Sequence, residues 1–260
     1  MKSLNRMLVG ACLIIILNTN TEVLAQDKPE FSLTADYFVK YIWRGQNLND
    51  DPVFQPGFSA TYWGFTAGIW GNLDTTDIHR DEFSGQDNNG EFTEVDYYAD
   101  YSGSIPGLDI LGFSVGAIYY DFPNTRYEGT TEVYGGLSLD VLLSPSVTFY
   151  RDVDEVKGLY VSASIEHEFE KIFELGPDIP VALDLGASFG WANSAYNCVY
   201  WGVDKNKAND LAFSVSLPFE IAGISITPSF HYMMLVDSDI KDSSGYDDEF
   251  FVGIGLSKGF

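Results

Sequence analysis

The sequence predicts an all-β protein: a transmembrane antiparallel β-barrel of about 12 strands with both termini on the periplasmic side. Three observations predict it. Apolar and polar side chains alternate strictly in segment after segment, the links between segments are short and long by turns, and the last segment closes on an aromatic residue, Phe260. A period of two sends successive side chains to opposite faces of a strand, as a wall between lipid and water requires. A secreted β-sandwich also alternates, but a final strand Phe250-x-Val252-x-Ile254-x-Leu256 running out to Phe260 is foreign to it.

Residues 1–25 read as a secretory signal peptide. Lys2 and Arg6 supply the positive start, Met7 to Leu17 the apolar run, and Val23-Leu24-Ala25 the small-residue cleavage site. Residues 26–260 then form one barrel domain for the bacterial outer membrane. The first strand runs from Phe31 to Arg44, with Phe31, Leu33, Ala35, Tyr37, Val39, Tyr41 and Trp43 on the lipid face. Further outward sets follow from Phe65, Val95, Leu111, Val133, Leu159, Val181, Leu211, Ile224 and Phe250. Tyr41, Trp43, Tyr62, Tyr101 and Tyr119 fall near strand ends, where interfacial girdles place their rings. Short links fall at Trp63-Gly64, Gly103 to Leu108, Ser144-Pro145 and Pro218 to Gly223. Longer polar links fall at Gly45 to Asp51, Thr75 to Glu91, Trp191 to Asn209 and Asp237 to Asp247. Two links break the rhythm: Asp154 to Lys157 is short for an outer loop, and Glu170 to Ile179 is long for an inner turn.

Composition narrows the partners. Past the signal, 12 basic residues face 37 acidic ones, which excludes nucleic acid and favours small cationic or neutral solutes. Cys198 is the only cysteine after residue 25, so no intramolecular disulfide forms. The mean hydropathy of -0.04 fits a barrel, whose strands average apolar and polar faces. Besides outer-membrane lipid, the expected partner is the barrel-assembly machinery, through the strand ending in Phe260. No cofactor is expected, and no metal assignment follows from the spacings.

Asp36-Tyr37, Tyr41-Ile42-Trp43-Arg44-Gly45-Gln46, Pro52-Val53-Phe54-Gln55-Pro56-Gly57-Phe58 and Gly64-Phe65-Thr66-Ala67-Gly68-Ile69-Trp70-Gly71-Asn72 together resemble the N-terminal signature of the TorF-type porins. The resemblance implies an outer-membrane barrel with passive transport and leaves the solute undefined.

The inward faces carry Asp36, Glu94, Asp96, Asp100, Glu132, Asp140, Glu166 and Asp184, with Lys40 and Arg44 opposing them. Carboxylates lining a water-filled bore concentrate cations, so these ten residues are the expected pore lining of a cation-preferring channel. Inward Gly112, Ser114, Gly116, Ser214, Ser216, Ser225, Thr227, Ser229, Gly253 and Gly255 leave room for a lumen. The alternative is a closed structural or surface-binding barrel, its carboxylates satisfied internally and its acidic loops taking cations or partners. Arg44 either pairs with an inward carboxylate, Asp36 or Glu94, or shapes a strand-to-loop corner with Gly45. An enzyme is not expected. His79 between Asp77 and Asp81, and inward His231 beside Ser229, lack an identifiable acid-base partner set.

Overall fold

The computed structural model describes residues 28–78 and 88–260; the expected signal peptide and His79 lie outside them. In chain order the elements are β1 (Glu30–Phe38), β2 (Tyr41–Trp43), β3 (Gln46–Asn49), β4 (Val53–Tyr62), β5 (Phe65–Asp74), β6 (Phe92–Ile105), β7 (Leu108–Asp121) and β8 (Thr130–Leu139). There follow β9 (Ser146–Asp152), β10 (Leu159–Gly176), β11 (Ile179–Ala192), α1 (Ser194–Trp201), β12 (Lys207–Ser216), β13 (Phe219–Ile221), β14 (Ile224–Leu235), α2 (Ser238–Ser244) and β15 (Asp248–Gly259).

Twelve of these strands close into an antiparallel barrel in the order β1-β4-β5-β6-β7-β8-β9-β10-β11-β12-β14-β15, with β13 a short continuation of β12 and β2-β3 a separate hairpin. Closure pairs β15 with β1, from Ser32 opposite Gly259 to Phe38 opposite Gly253. Phe31 and Phe260 then exchange both backbone hydrogen bonds, at 3.4 and 2.9 Å. A closed ring leaves no unpaired strand edge to lipid, which a membrane demands of a sheet.

The alternation predicts the barrel faces well. Phe31, Leu33, Tyr37, Phe65, Tyr97, Val115, Val133, Leu185, Phe213, Phe230, Phe250 and Ile254 all project outward, exposed. Near the short-turn end Phe65, Tyr101 and Phe113 pack as tilted rings across three strands at 4.5 and 5.8 Å, part of an aromatic girdle. The two awkward links resolve differently. Residues 153–158 do form a tight loop at the long-loop end, with Asp152 accepting from the backbone N–H groups of Asp154, Val156 and Lys157. The expected link from Glu170 to Ile179 is a correction: β10 continues to Gly176, and Pro177-Asp178 alone make the turn.

The small inward residues do not simply leave space. Gly116, and likewise Gly68 and Gly190, let a tyrosine reach over the intervening strand to a partner two strands away. Tyr134 on β8 passes Gly116 on β7 to donate to Asp100 on β6 at 3.0 Å. Tyr160 on β10 passes Gly190 on β11 to reach Asp210 on β12 at 3.1 Å. Tyr98 on β6 passes Gly68 on β5 to bond Ser59 on β4. A Cβ at Gly116 would lie 2.5 Å from the Tyr134 ring, closer than any contact a real side chain tolerates.

Gly116→Ala should therefore displace Tyr134 and lower unfolding free energy by about 1–3 kcal/mol, the usual cost of overpacking. Gly135→Ala is the control, because a Cβ there meets nothing nearer than a carbonyl oxygen at 3.8 Å. Urea unfolding in lipid vesicles checks it; equal midpoints for the two variants would contradict the packing.

Candidate functional site

The first strand ends earlier than its alternation predicts. β1 stops at Phe38, and residues 41–49 turn inward as the β2-β3 hairpin, pairing Tyr41 with Asn49, Ile42 with Asn47 and Trp43 with Gln46. Tyr41 and Trp43, expected in the lipid-facing girdle, are only 4% and 1% exposed inside the barrel. The reversal sits at Arg44 and Gly45, which adopt φ of +45° and +83°. Such a turn suits glycine and strains arginine. A Cβ on Gly45 would also lie 2.9 Å from Leu235 and 3.0 Å from Asp210, so the tip is seated against the wall.

Arg44 meets neither Asp36 nor Glu94, the partners expected for it, but Glu132 on β8. Nη1 donates to Oε1 and Nη2 to Oε2, both at 2.8 Å. β8 stands five strands from β1 in a ring of twelve, so the hairpin reaches across the bore to nearly the opposite wall. The guanidinium lies over three rings, Trp43 at 4.4 Å, Tyr150 at 4.3 Å and Tyr160 at 4.5 Å. Tyr120 donates to the same carboxylate at 2.8 Å, and Tyr41 donates to Glu94 at 3.0 Å. This bidentate, ring-walled geometry is specific to guanidinium; an ammonium cannot reproduce it.

Two helices in the long loops complete the enclosure. α1 begins at Asn193, whose side chain accepts from Tyr196 N at 3.0 Å, and ends at Gly202 in the left-handed region. It buries Tyr196, Tyr200 and Trp201, with Tyr200 packed edge-on against Trp43 at 5.6 Å. α2 is held beside it by Asp239, which accepts from Lys205 and from Lys207 at 2.8 Å. Those two bonds, Lys205 first, pull the Asp239 carboxyl down to about 2. The hairpin is also tied from its base to its tip. Lys40 bonds Glu249 at 2.7 Å, Asn49 bonds Asp74 at 2.9 Å, and the Tyr246 hydroxyl bridges Asn47 N and Gly45 O at 2.8 and 2.9 Å. The Lys40 and Asn47 side chains hold Asp50 below the usual carboxylate range.

Of the ten expected pore-lining residues, Glu94, Asp96, Glu132 and Arg44 come together around the hairpin, the three carboxylates buried and the Arg44 side chain 9% exposed. Asp36, Asp100, Glu166 and Asp184 stay on the inward wall. Asp184 accepts weakly from Ser216 at 3.5 Å, and Glu166 stands diagonally across β10-β11 from it. Among the described residues, none of the ion pairs involves these four. Two placements need correcting. Lys40 sits at the mouth with Glu249 and Asp50 rather than in the bore, because β1 has already ended. Asp140 is exposed in the β8-β9 turn, past the last residue of β8. In the acidic outer loop, Asp237 pairs with Lys207, and Asp239 pairs with both Lys205 and Lys207. Among the described residues no group of three His, Cys, Asp or Glu is arranged to hold a metal. His231 bonds Ser229 at 3.0 Å and stacks on Phe251.

The residues that sequence reasoning missed are the inward tyrosines Tyr120, Tyr134, Tyr150 and Tyr160 and the helix aromatics Tyr196 and Tyr200. The four strand tyrosines, one each on β7 to β10, fall in the inward phase of their strands' alternation. Glu132→Gln should leave Arg44 buried without a counter-charge and cost about 3–5 kcal/mol. The double replacement Arg44→Met with Glu132→Met should recover most of that loss. Urea midpoints in lipid vesicles measure both; a Glu132→Gln effect under about 0.5 kcal/mol would show an exposed, dispensable pair.

No curated protein matches the sequence. Among solved structures the barrel resembles the KdgM porin, with 10% identity, 88% of this chain and 99% of that chain covered, and a TM-score of 0.52. It also resembles a bacterial polysaccharide outer membrane secretin, at 8% identity, 89% and 98% coverage and a TM-score of 0.50. An outer membrane channel from Pseudomonas putida F1 aligns over 100% of this chain and 99% of its own at 9% identity and a TM-score of 0.47. At such identities the likeness is one of fold, an outer-membrane β-barrel. A family model matches residues 25–219, the span that includes the hairpin and Glu132: the chain belongs to the family described as Gcw_chp, bacterial protein of unknown function.

Proposed function

We propose that the protein is a porin-like channel of the bacterial outer membrane, exported by its N-terminal signal, that passes small solutes with a preference for cations. One observation carries this reading: on the inward wall of a closed barrel, Asp36, Asp100, Glu166 and Asp184 join none of the ion pairs among the described residues, while Lys40, Arg44, Lys205 and Lys207 pair with other carboxylates. Unneutralised carboxylates along a wet wall attract cations and repel anions. The hairpin crossing the bore then acts as the constriction, so conductance is small and set by Arg44 and its neighbours. The resemblance to TorF-type porins and the fold shared with the KdgM porin support passive transport. The outward apolar faces and girdle rings support a lipid surrounding. Short turns and both termini facing the periplasm, with the hairpin and helices toward the exterior, follow from the usual barrel orientation.

The hairpin itself favours a second reading, a closed barrel with a structural role. Liposome swelling separates the two, since a closed barrel passes no solute.

In planar bilayers under a salt gradient, the channel should give small discrete steps and a zero-current potential of cation-selective sign. Replacing Glu166 and Asp184 with Gln and Asn should reduce that potential toward zero. Strong anion selectivity, or a potential indifferent to the two replacements, would overturn the assignment.

A further inference from the structure

The pairing of Arg44 with Glu132 has the form of a bound ligand. A planar cation from one wall is received by a preformed receptor on the other: one bidentate carboxylate, a hydroxyl that orients it, and the two neighbouring rings of Tyr150 and Tyr160, tilted to each other, against which the cation rests. The receptor belongs to the barrel. Glu132, Tyr120, Tyr150 and Tyr160 sit on β8, β7, β9 and β10, four adjacent strands of the wall, and only Trp43 comes with the hairpin. The occupant is held in a strained backbone, a non-glycine residue at φ +45°, so part of the contact energy is spent keeping the tip in place.

We infer that this wall carries a binding site for guanidinium-bearing cations, occupied in the resting protein by Arg44 as a tethered ligand and open to competition from solutes of the same chemistry. A free guanidinium satisfies the carboxylate in both hydrogen bonds and fills the ring-walled slot. An ammonium of equal charge does neither. Because Arg44 is tethered, its effective concentration is high, and an external competitor works against it only at elevated concentration. Removing the Arg44 side chain exposes the receptor to low concentrations. Binding requires only the barrel; its effect on current rests on the channel reading.

The test uses the full-length protein refolded into phosphatidylcholine vesicles, with heat-modifiable gel mobility reporting the folded barrel. Arg44→Ala is titrated with methylguanidinium chloride, and with methylammonium chloride at equal ionic strength, while tryptophan fluorescence reports Trp43 at the rim of the site. A saturable change with methylguanidinium, half-complete at about 10 mM or below, and none with methylammonium, is expected. Arg44→Ala combined with Glu132→Gln should lose the response, and the wild type should need at least tenfold more ligand. In bilayers the same titration should lower the Arg44→Ala conductance at least twofold. Should Arg44→Ala fail to fold, Arg44→Lys takes its place, its ammonium leaving the bidentate position open. Should both fail, the wild type must show the methylguanidinium-specific change by about 100 mM, where competition with a millimolar tether is complete. Equal responses to the two cations, a response that survives Glu132→Gln, or no saturable change in a folded variant would overturn the site. Specific binding to a barrel that passes no current would leave the site standing and remove the channel reading.

Discussion

A guanidinium taken out of water must have its counter-charge and its hydrogen-bond acceptors waiting, because an unpaired charge in a low-dielectric interior costs several kcal/mol. Arg44 meets that condition at one place, Glu132, and the chain between Phe38 and Val53 is shaped to bring it there. The corner at Arg44 and Gly45, the aromatic lining, the hydroxyl of Tyr120 and the packing of α1 on Trp43 all serve the same contact. Around it the barrel divides in two. The long-loop half is filled by the hairpin, tyrosines and helix aromatics. The short-turn half is lined mostly by serine, threonine and glycine, with carboxylates that join no ion pair among the described residues.

The division has a covalent logic in the wall. Aromatic rings can occupy a barrel interior only where neighbouring strands give up their side chains, and Gly68, Gly116 and Gly190 do so beneath Tyr98, Tyr134 and Tyr160. Each tyrosine then ends on a polar partner two strands away, which ties alternate strands together inside the ring of backbone hydrogen bonds. Those ties stiffen the wall that holds Glu132, and a stiff wall is what makes a receptor for a planar cation.

Most of the barrel was legible in the sequence. Lipid on one face and a lumen on the other impose a period of two that survives in nearly every strand, and a barrel once predicted must close its last strand on its first, as Phe31 and Phe260 do. The failure at residues 41–43 comes from the same signal. Tyr41-Ile42-Trp43 continues the alternation of β1 in phase, so periodicity alone cannot show that the chain has left the wall. The departure is marked instead by Arg44-Gly45 and the polar run Asn47, Asn49, Asp50 and Asp51. A partner for Arg44 was expected among inward carboxylates, and the class was right. The identity depended on which strand faces which across a closed ring, and local pattern does not encode that. The helices were hidden for a similar reason, being short segments stabilised by packing on the hairpin rather than by their own propensity.

The central claim is that the hairpin lies within the barrel, and Trp43 reports on it directly. A variant keeping Trp43 alone, with Trp63, Trp70, Trp191 and Trp201 changed to Phe, would be refolded into phospholipids brominated along their acyl chains. Fluorescence should be barely quenched by the brominated chains and barely quenched by aqueous iodide, because Trp43 is 1% exposed and separated from lipid by the barrel wall. Strong quenching by brominated lipid would place Trp43 on the outer face, as a continuous first strand requires, and would contradict the inward hairpin and the site built on it.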